Sequence, residues 1–300
     1  AIGESNELRW LPSEPHTLTY VYNGVLYKQD ASRLDGYKYK EVIYSFYANL
    51  GAVTRHTGDG FWSNDGRYMA FAIQDYPSYS NDRIVVVDAF EGVALPGSVA
   101  MRPSGMSVSP DGKWLAIFGG KSPFFRIADL AAGNVSRPWY PDLSGPGTDP
   151  SLGHGGWAWD RDGGCVYVAQ VNGSDWFAAF NPETGVRTNV VNMYELGYPT
   201  AQHIATVNDP AKCGWFLMST YQAPTNWSAR QLLMIEIAPV NEHPRIWRIG
   251  PVWNRCTTYF NEIKASLNNA GTAIWFGQNW LATDNLELYR LDLPVDWWET

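Results

Sequence analysis

Charge and sulfur are scarce in this chain. Charged residues make up 17% of its 300 positions, cysteines number three, and no cluster of lysine and arginine relieves a net charge of −8. Nucleic-acid binding through phosphate contacts needs clustered cations, so that class of partner is not expected. No stretch approaches the roughly 18 consecutive apolar residues of a membrane-spanning helix, and no membrane insertion is expected. The first residues, Ala1 to Ser5, are polar and unlike a secretory leader. Removal of an initiator methionine before Ala1 and cleavage of a leader are the two expectations for such a start. Walker, Rossmann and nucleophile-elbow motifs are also missing, and serine-hydrolase chemistry has no marked nucleophile.

An odd number of cysteines leaves at least one thiol unpaired. Cys165 and Cys213 fall at equivalent places of neighbouring repeats, too far apart for a bridge whose Cα atoms must lie within about 7 Å. All three, Cys256 included, are therefore expected as free, buried thiols. That favours a reducing compartment or an assembly that needs no disulfides, such as a phage or cell-surface component. Three Asn-x-Ser triplets, at Asn134, Asn172 and Asn226, match glycosylation acceptors, a pattern common by chance.

Apolar residues are plentiful at 45%, and aromatics reach 15%, with 15 tryptophans. They are organised by a weak internal repeat. Ser63-Asn64-Asp65-Gly66 and Ser109-Pro110-Asp111-Gly112 each form a turn signal followed by alternating large apolar residues, Tyr68 to Phe71 and Trp114 to Ile117. Degenerate copies begin at Ser13, Asp160, Asn208 and Asn268, a spacing of roughly 50 residues. A short apolar strand precedes each turn. A third strand follows, ending in an acidic or amide residue, as in Val85-Val86-Val87-Asp88 or Arg126-Ile127-Ala128-Asp129. Four antiparallel strands at this spacing make a propeller blade. The expected fold is all-β: a single six-bladed β-propeller of four-stranded antiparallel blades near 8–50, 58–100, 104–145, 154–195, 202–250 and 261–300. A β-sandwich is the competing arrangement. The last repeat is short of an outer strand, which either Val295 to Trp298 or the N-terminal Ile2 to Asn6 must supply.

In such a fold the first strands of all blades start at one end, and the loops between second and third strands share it. Counting back from each turn gives Glu7, Thr57, Pro103, His154, Gln202 and Glu262 at the strand starts, with His56 and His203 alongside. His154, His203 and Glu262 could hold a metal, with Gln202 or His56 assisting. Alternatively His154 or His203 could act as a general base near neutral pH, or the group could merely cap backbone and bind water. The loops at the same end are aromatic. Tyr76, Tyr79, Trp176, Tyr221, Trp227 and Trp280 lie between second and third strands, and Tyr198, Trp253 and Tyr259 lie in loops entering first strands. Exposed rings stack on sugars and anchor protein partners, although they also pack loop against loop. The loop from Ser219 to Arg230 is the longest of its kind.

Two resemblances follow. Ser109-Pro110-Asp111-Gly112-Lys113-Trp114-Leu115-Ala116 resembles the PD40/TolB-type propeller repeat, which implies the fold. Gly153-His154-Gly155-Gly156, Gln202-His203-Ile204-Ala205 with Gly214-Trp215-Phe216, and Asn261-Glu262-Ile263-Lys264 with Phe276-Gly277-Gln278-Asn279-Trp280 resemble oligogalacturonate lyase-related propellers. Those relatives carry Gly-His, Gly-His and Glu-x-His there, and their histidines are associated with a divalent metal that holds an acidic sugar. The resemblance implies one divalent metal, manganese or calcium, and β-elimination next to a uronate carboxylate. A metal or Arg255 would neutralise the carboxylate, His203 or Lys264 would remove the proton, and Tyr259 would protonate the leaving oxygen. Lys264 stands where the pattern has its third histidine, and Gln202 where it has glycine. The leading expectation is a recognition propeller whose aromatic end binds a glycan or a protein surface. A metal-assisted polysaccharide lyase is the alternative.

Overall fold

The computed structural model describes residues 9–14, 16–32, 40–46, 62–73, 82–101, 105–118, 123–143, 151–174, 176–194, 196–197, 202–207, 209–221, 226–238, 242–256, 261–281 and 286–299. They fall into two compact units, Ala1–Tyr140 and Pro141–Thr300.

The first unit holds three antiparallel sheets. β1 (Arg9–Trp10), β2 (Thr17–Tyr22), β3 (Val25–Asp30) and β4 (Glu41–Ser45) pair in sequence order. So do β5 (Tyr68–Ile73), β6 (Arg83–Asp88) and β7 (Val93–Ala94), and then β8 (Gly105–Val108), β9 (Trp114–Phe118) and β10 (Phe124–Arg126). The second unit repeats the plan. Its sheets are β11 (Leu152–Trp159), β12 (Cys165–Val171), β13 (Trp176–Asn181), β14 (Val186–Asn192); β15 (Gln202–Thr206), β16 (Trp215–Thr220), β17 (Gln231–Glu236), β18 (Ile246–Pro251); and β19 (Ser266–Leu267), β20 (Ala273–Gln278), β21 (Glu287–Asp292).

Successive strand residues point to opposite faces, and the middle sheet of each unit buries both. In the second unit Phe216, Met218, Leu233 and Ile235 pack with Val166, Val168 and Phe177 of the sheet before. Their alternates Trp215, Leu217, Leu232 and Met234 pack with Ile263, Ile274 and Leu293 of the sheet after. In the first unit Ala70, Ala72, Ile84 and Val86 face Met106, Leu115 and Ile117, while Phe71, Val85 and Val87 face Leu26 and Tyr44. Burial on both sides is why β5, β6, β16 and β17 read as unbroken apolar runs.

The turns of the repeat close as their sequence demands. Ser109 Oγ accepts from the amide of Trp114 at 2.9 Å and donates to Asp111 at 2.6 Å. Ser63 does the same for Tyr68 and Asp65 at 2.9 and 2.5 Å. Gly66 and Gly112 follow with φ of +74° and +69°, a left-handed conformation that costs a side-chain-bearing residue free energy. Asp160 and Asn268 reproduce the bond from their own side chains, accepting from Gly164 at 2.6 Å and Ala273 at 2.9 Å.

Three expectations are corrected. The second, third and sixth repeats show three strands among the described residues; the stretch expected as the first strand of the second lies largely outside them, and the sixth is short of an outer strand, as its sequence is. In the third, β10 ends at Arg126 and Ile127–Ala131 form a helix, α1, with Ile127 and Leu130 on its buried side. Residues three apart share one face of a helix, which turns Ile127 and Leu130 together into the core. Cys165, Cys213 and Cys256 form no disulfide, as expected, but are half-buried rather than buried, because they lie at strand ends or in a loop. Val295 to Trp298 forms turns and no strand. Its Trp297 is buried, packs edge-on to Trp215 at 5.7 Å and donates from Nε1 to the Gly271 carbonyl at 2.8 Å. Ile2 to Asn6 lies outside the described residues.

Two predictions follow from this packing. Trp297→Ala should destabilise the protein by about 3 kcal/mol, read from denaturant melts. Glu236, with its side chain 2% exposed, meets Arg245 at 2.7 Å and also Arg161. Burial alone would raise its pKa, but the hydrogen bonds from both arginines outweigh burial and bring it from 4.5 to about 2. Its contribution is therefore complete above pH 4.5 and lost as pH falls toward about 2. Glu236→Gln should cost about 2 kcal/mol at neutral pH and flatten the acid limb of the stability profile.

Candidate functional site

Antiparallel pairing puts the start of each first strand beside the end of the second. In the fifth sheet Gln202 pairs with Thr220, Ser219 with Leu232, and Gln231 with Pro251, so these residues line one end. Leu152, Val171, Trp176 and Asn192 line the corresponding end of the fourth sheet. Within the second unit β11 runs beside β15, and β15 beside β19. The adjacent strand starts bring side chains distant in sequence together.

His203 is the hub of that group. Its Nε2 lies 2.9 Å from Glu262 Oε2. Its ring stacks on Tyr221 at 5.1 Å and 23°, and meets the His154 ring edge-on at 4.7 Å. Lys264 Nζ lies 3.9 Å from the same Glu262 oxygen. The side chains of His203 and Glu262 are 13% and 15% exposed, against 36% for Lys264, so the ammonium is the accessible end of the group. Burial lowers the His203 pKa; the Glu262 hydrogen bond opposes this, and His154 and Lys264 add to the lowering. Neutral His203 donates Nε2–H to the carboxylate. Burial also lowers the Lys264 pKa, against the pull of Glu262.

Gln202 turns elsewhere. Its Nε2 donates to Gln170 Oε1 at 2.6 Å, and its own Oε1 has no hydrogen-bond partner among the described residues. Arg255 and Trp253 belong to the loop after β18, where buried amides grip the backbone. Asn279 Oδ1 accepts from Arg255 N at 2.8 Å, and Asn279 Nδ2 donates to the Arg255 carbonyl at 3.1 Å. Gln278 Oε1 accepts from Trp253 N at 3.3 Å. Asn254, fully buried between them, donates to the Asn261 carbonyl at 2.6 Å, one residue before Glu262. The Trp253 and Trp280 turns are thus stapled to each other and to the polar group. Both tryptophans are exposed, at 53% and 55%.

Trp280 and Leu281 adopt φ of +54° and +64°, and two successive left-handed residues that are not glycine cost free energy that the surroundings must repay. Trp280 Nε1 donates to Tyr289 Oη at 2.7 Å, which holds the indole in place. Trp227 is exposed, on a turn tied down by Asn226, which donates to the Gly197 carbonyl. Trp176 is half-buried at the start of β13. Tyr76, Tyr79, Tyr198 and Tyr259 lie outside the described residues, as do His56, Glu7, Thr57 and Pro103. The amide clasps of Asn254, Gln278 and Asn279 were not foreseen. Their one signal in sequence is an amide pair, Gln278-Asn279, directly after a strand.

The donor set does not fit a divalent metal. Among the described residues no three His, Cys, Asp or Glu side chains come together as a metal-binding group. The Glu262 oxygen already receives His203 and faces the Lys264 ammonium, which would repel a second cation there. The Gln202 carbonyl oxygen alone is one weak ligand.

No family model matches this chain, and no curated protein does. Solved structures are similar to it in fold. An oligogalacturonate lyase from Vibrio parahaemolyticus superimposes with a TM-score of 0.64 at 15% identity, over 95% of this chain and 76% of that one. An oligogalacturonate lyase in complex with manganese gives 0.63 at 16% identity, with the same coverage. The β-propeller domain of Swd1 from Myceliophteria thermophila gives 0.56 at 11%, over 96% and 82%. At these identities the likeness establishes the fold alone, an all-β propeller architecture.

The geometry predicts that the His203 ring titrates below its ordinary 6.5. Glu262→Gln should move it lower still, because the carboxylate is what raises it. Ring-nitrogen NMR across a pH series checks both, and a midpoint at or above 6.5 would contradict the arrangement.

Proposed function

We propose that this protein is a glycan-recognition propeller, its six sheets serving as blades, and that the strand-start end of the second unit is its binding surface. The observation that carries this is the pair of exposed tryptophans, Trp253 and Trp280, fixed on backbone that buried amides hold rigid. An indole held in place loses little entropy when a sugar ring stacks on it. The left-handed backbone at Trp280 and Leu281 supports the same reading, because strain of this kind collects where a side chain must be presented. At the same end of the second unit His154 and His203 offer polar contacts to hydroxyl groups, and Lys264 offers its charge to a carboxylate.

A second reading, β-elimination on a uronate-containing glycan, is favoured by one observation. Neutral His203, oriented by Glu262 and Tyr221, is a suitable base near pH 7. Here Lys264 or Arg255 would neutralise the uronate carboxylate as the proton leaves. Solved lyases of similar fold supply context for this reading.

Binding to a panel of neutral and acidic oligosaccharides tests the first reading. Trp253→Ala and Trp280→Ala should each weaken the best ligand about tenfold and leave the thermal midpoint near that of the parent. Unchanged affinity in both variants would move the surface elsewhere, and binding to proteins alone would replace glycan with a protein partner. Ultraviolet absorbance of an unsaturated uronate product, lost in His203→Ala, would establish the second reading.

A further inference from the structure

We propose that Lys264, steadied by Glu262 beside His203, is the positive charge this site offers to a carboxylate of an acidic sugar, and that no divalent cation takes part. The inference rests on the glycan reading and deepens it. Three observations carry it. First, Glu262 Oε2 is a shared acceptor, 2.9 Å from His203 Nε2 and 3.9 Å from Lys264 Nζ. A metal ion at that oxygen would have to displace the imidazole and sit against the ammonium. Second, the two histidine rings and Tyr221 are packed on one another, so His203 cannot be re-aimed without losing those contacts. Third, exposure is graded. The carboxylate is nearly covered and the ammonium is a third exposed, so an incoming ligand meets the cation first.

Charge bookkeeping agrees. Neutral His203, Glu262 and Lys264 sum to zero, and exposed Arg255 on the neighbouring loop adds one positive charge. A carboxylate arriving there gains a charge-assisted hydrogen bond from an ammonium already partly dehydrated, and needs no further cation. A divalent-metal site would instead gather surplus negative charge before the metal came. Lys264 is lysine rather than arginine, so the contact is a point charge that swings on a flexible stem.

The test uses the whole chain and two probes, tri-galacturonate and a neutral galactose trimer, by calorimetry with EDTA or with added MnCl2. Tri-galacturonate should bind equally well in both buffers. Lys264→Gln should weaken it about tenfold, leave the neutral trimer unchanged, and keep the parent melting curve. Lys264→Arg should recover most of the loss. Binding of Mn2+ near one equivalent by the parent protein, or loss of tri-galacturonate binding in EDTA, overturns the metal-free assignment whatever the glycan does. Tri-galacturonate bound as well by Lys264→Gln overturns the role of Lys264 while leaving glycan recognition intact. Failure of both trimers to bind overturns the glycan reading, and the carboxylate assignment with it.

Discussion

The side-chain bond that closes the turn leading into β5, β9, β12 and β20 is the constraint on which the rest depends. Ser63, Ser109, Asp160 and Asn268 each accept from a backbone amide on the far side of the turn. Each bond fixes where one strand begins relative to the other. A slip of one residue would turn every alternate side chain to the opposite face. In the fifth sheet the same task falls to a short 3-10 turn, Pro210–Lys212, capped by Asp209, whose Oδ1 accepts from Ala211 at 3.0 Å. With register fixed at one end, the residues at the other end are placed as well. That is how His203 on one strand reaches Glu262, which lies 59 residues further on.

Much of this order was legible in the sequence. Asp-Gly turns and alternating apolar residues are local, and each states its register without help from the rest of the chain. The residues at strand starts could be found by counting back from those turns, which is why His154, His203 and Glu262 stood out. Other features depend on the burial of a particular neighbour. The switch from strand to helix at Ile127 needs the core that Ile127 and Leu130 fill. The tail was one of two segments that could have supplied the missing outer strand, but its Trp297 is drawn inward by Trp215 and the Gly271 carbonyl. The clasp of Asn279 on Arg255 joins backbone to side chain across 24 residues, and no local pattern announces such a bond.

The site shows how far a shared fold leaves chemistry open. Solved structures that superimpose on this chain include a manganese complex, yet here a lysine stands beside the carboxylate and the imidazole is already engaged. The exposed Trp253 and Trp280 rest on loops that buried amides hold, and Trp280 also on left-handed backbone, features a loop keeps when the position of a side chain matters.

The central claim is that the strand-start end of the second unit is where ligand binds. The most direct measurement is NMR of the indole Nε1–H signals of the 15 tryptophans during titration with tri-galacturonate. The account predicts that Trp253 and Trp280 shift first and most, while buried Trp215 and Trp297 stay in place. Shifts confined to other tryptophans, or none at all, would contradict it.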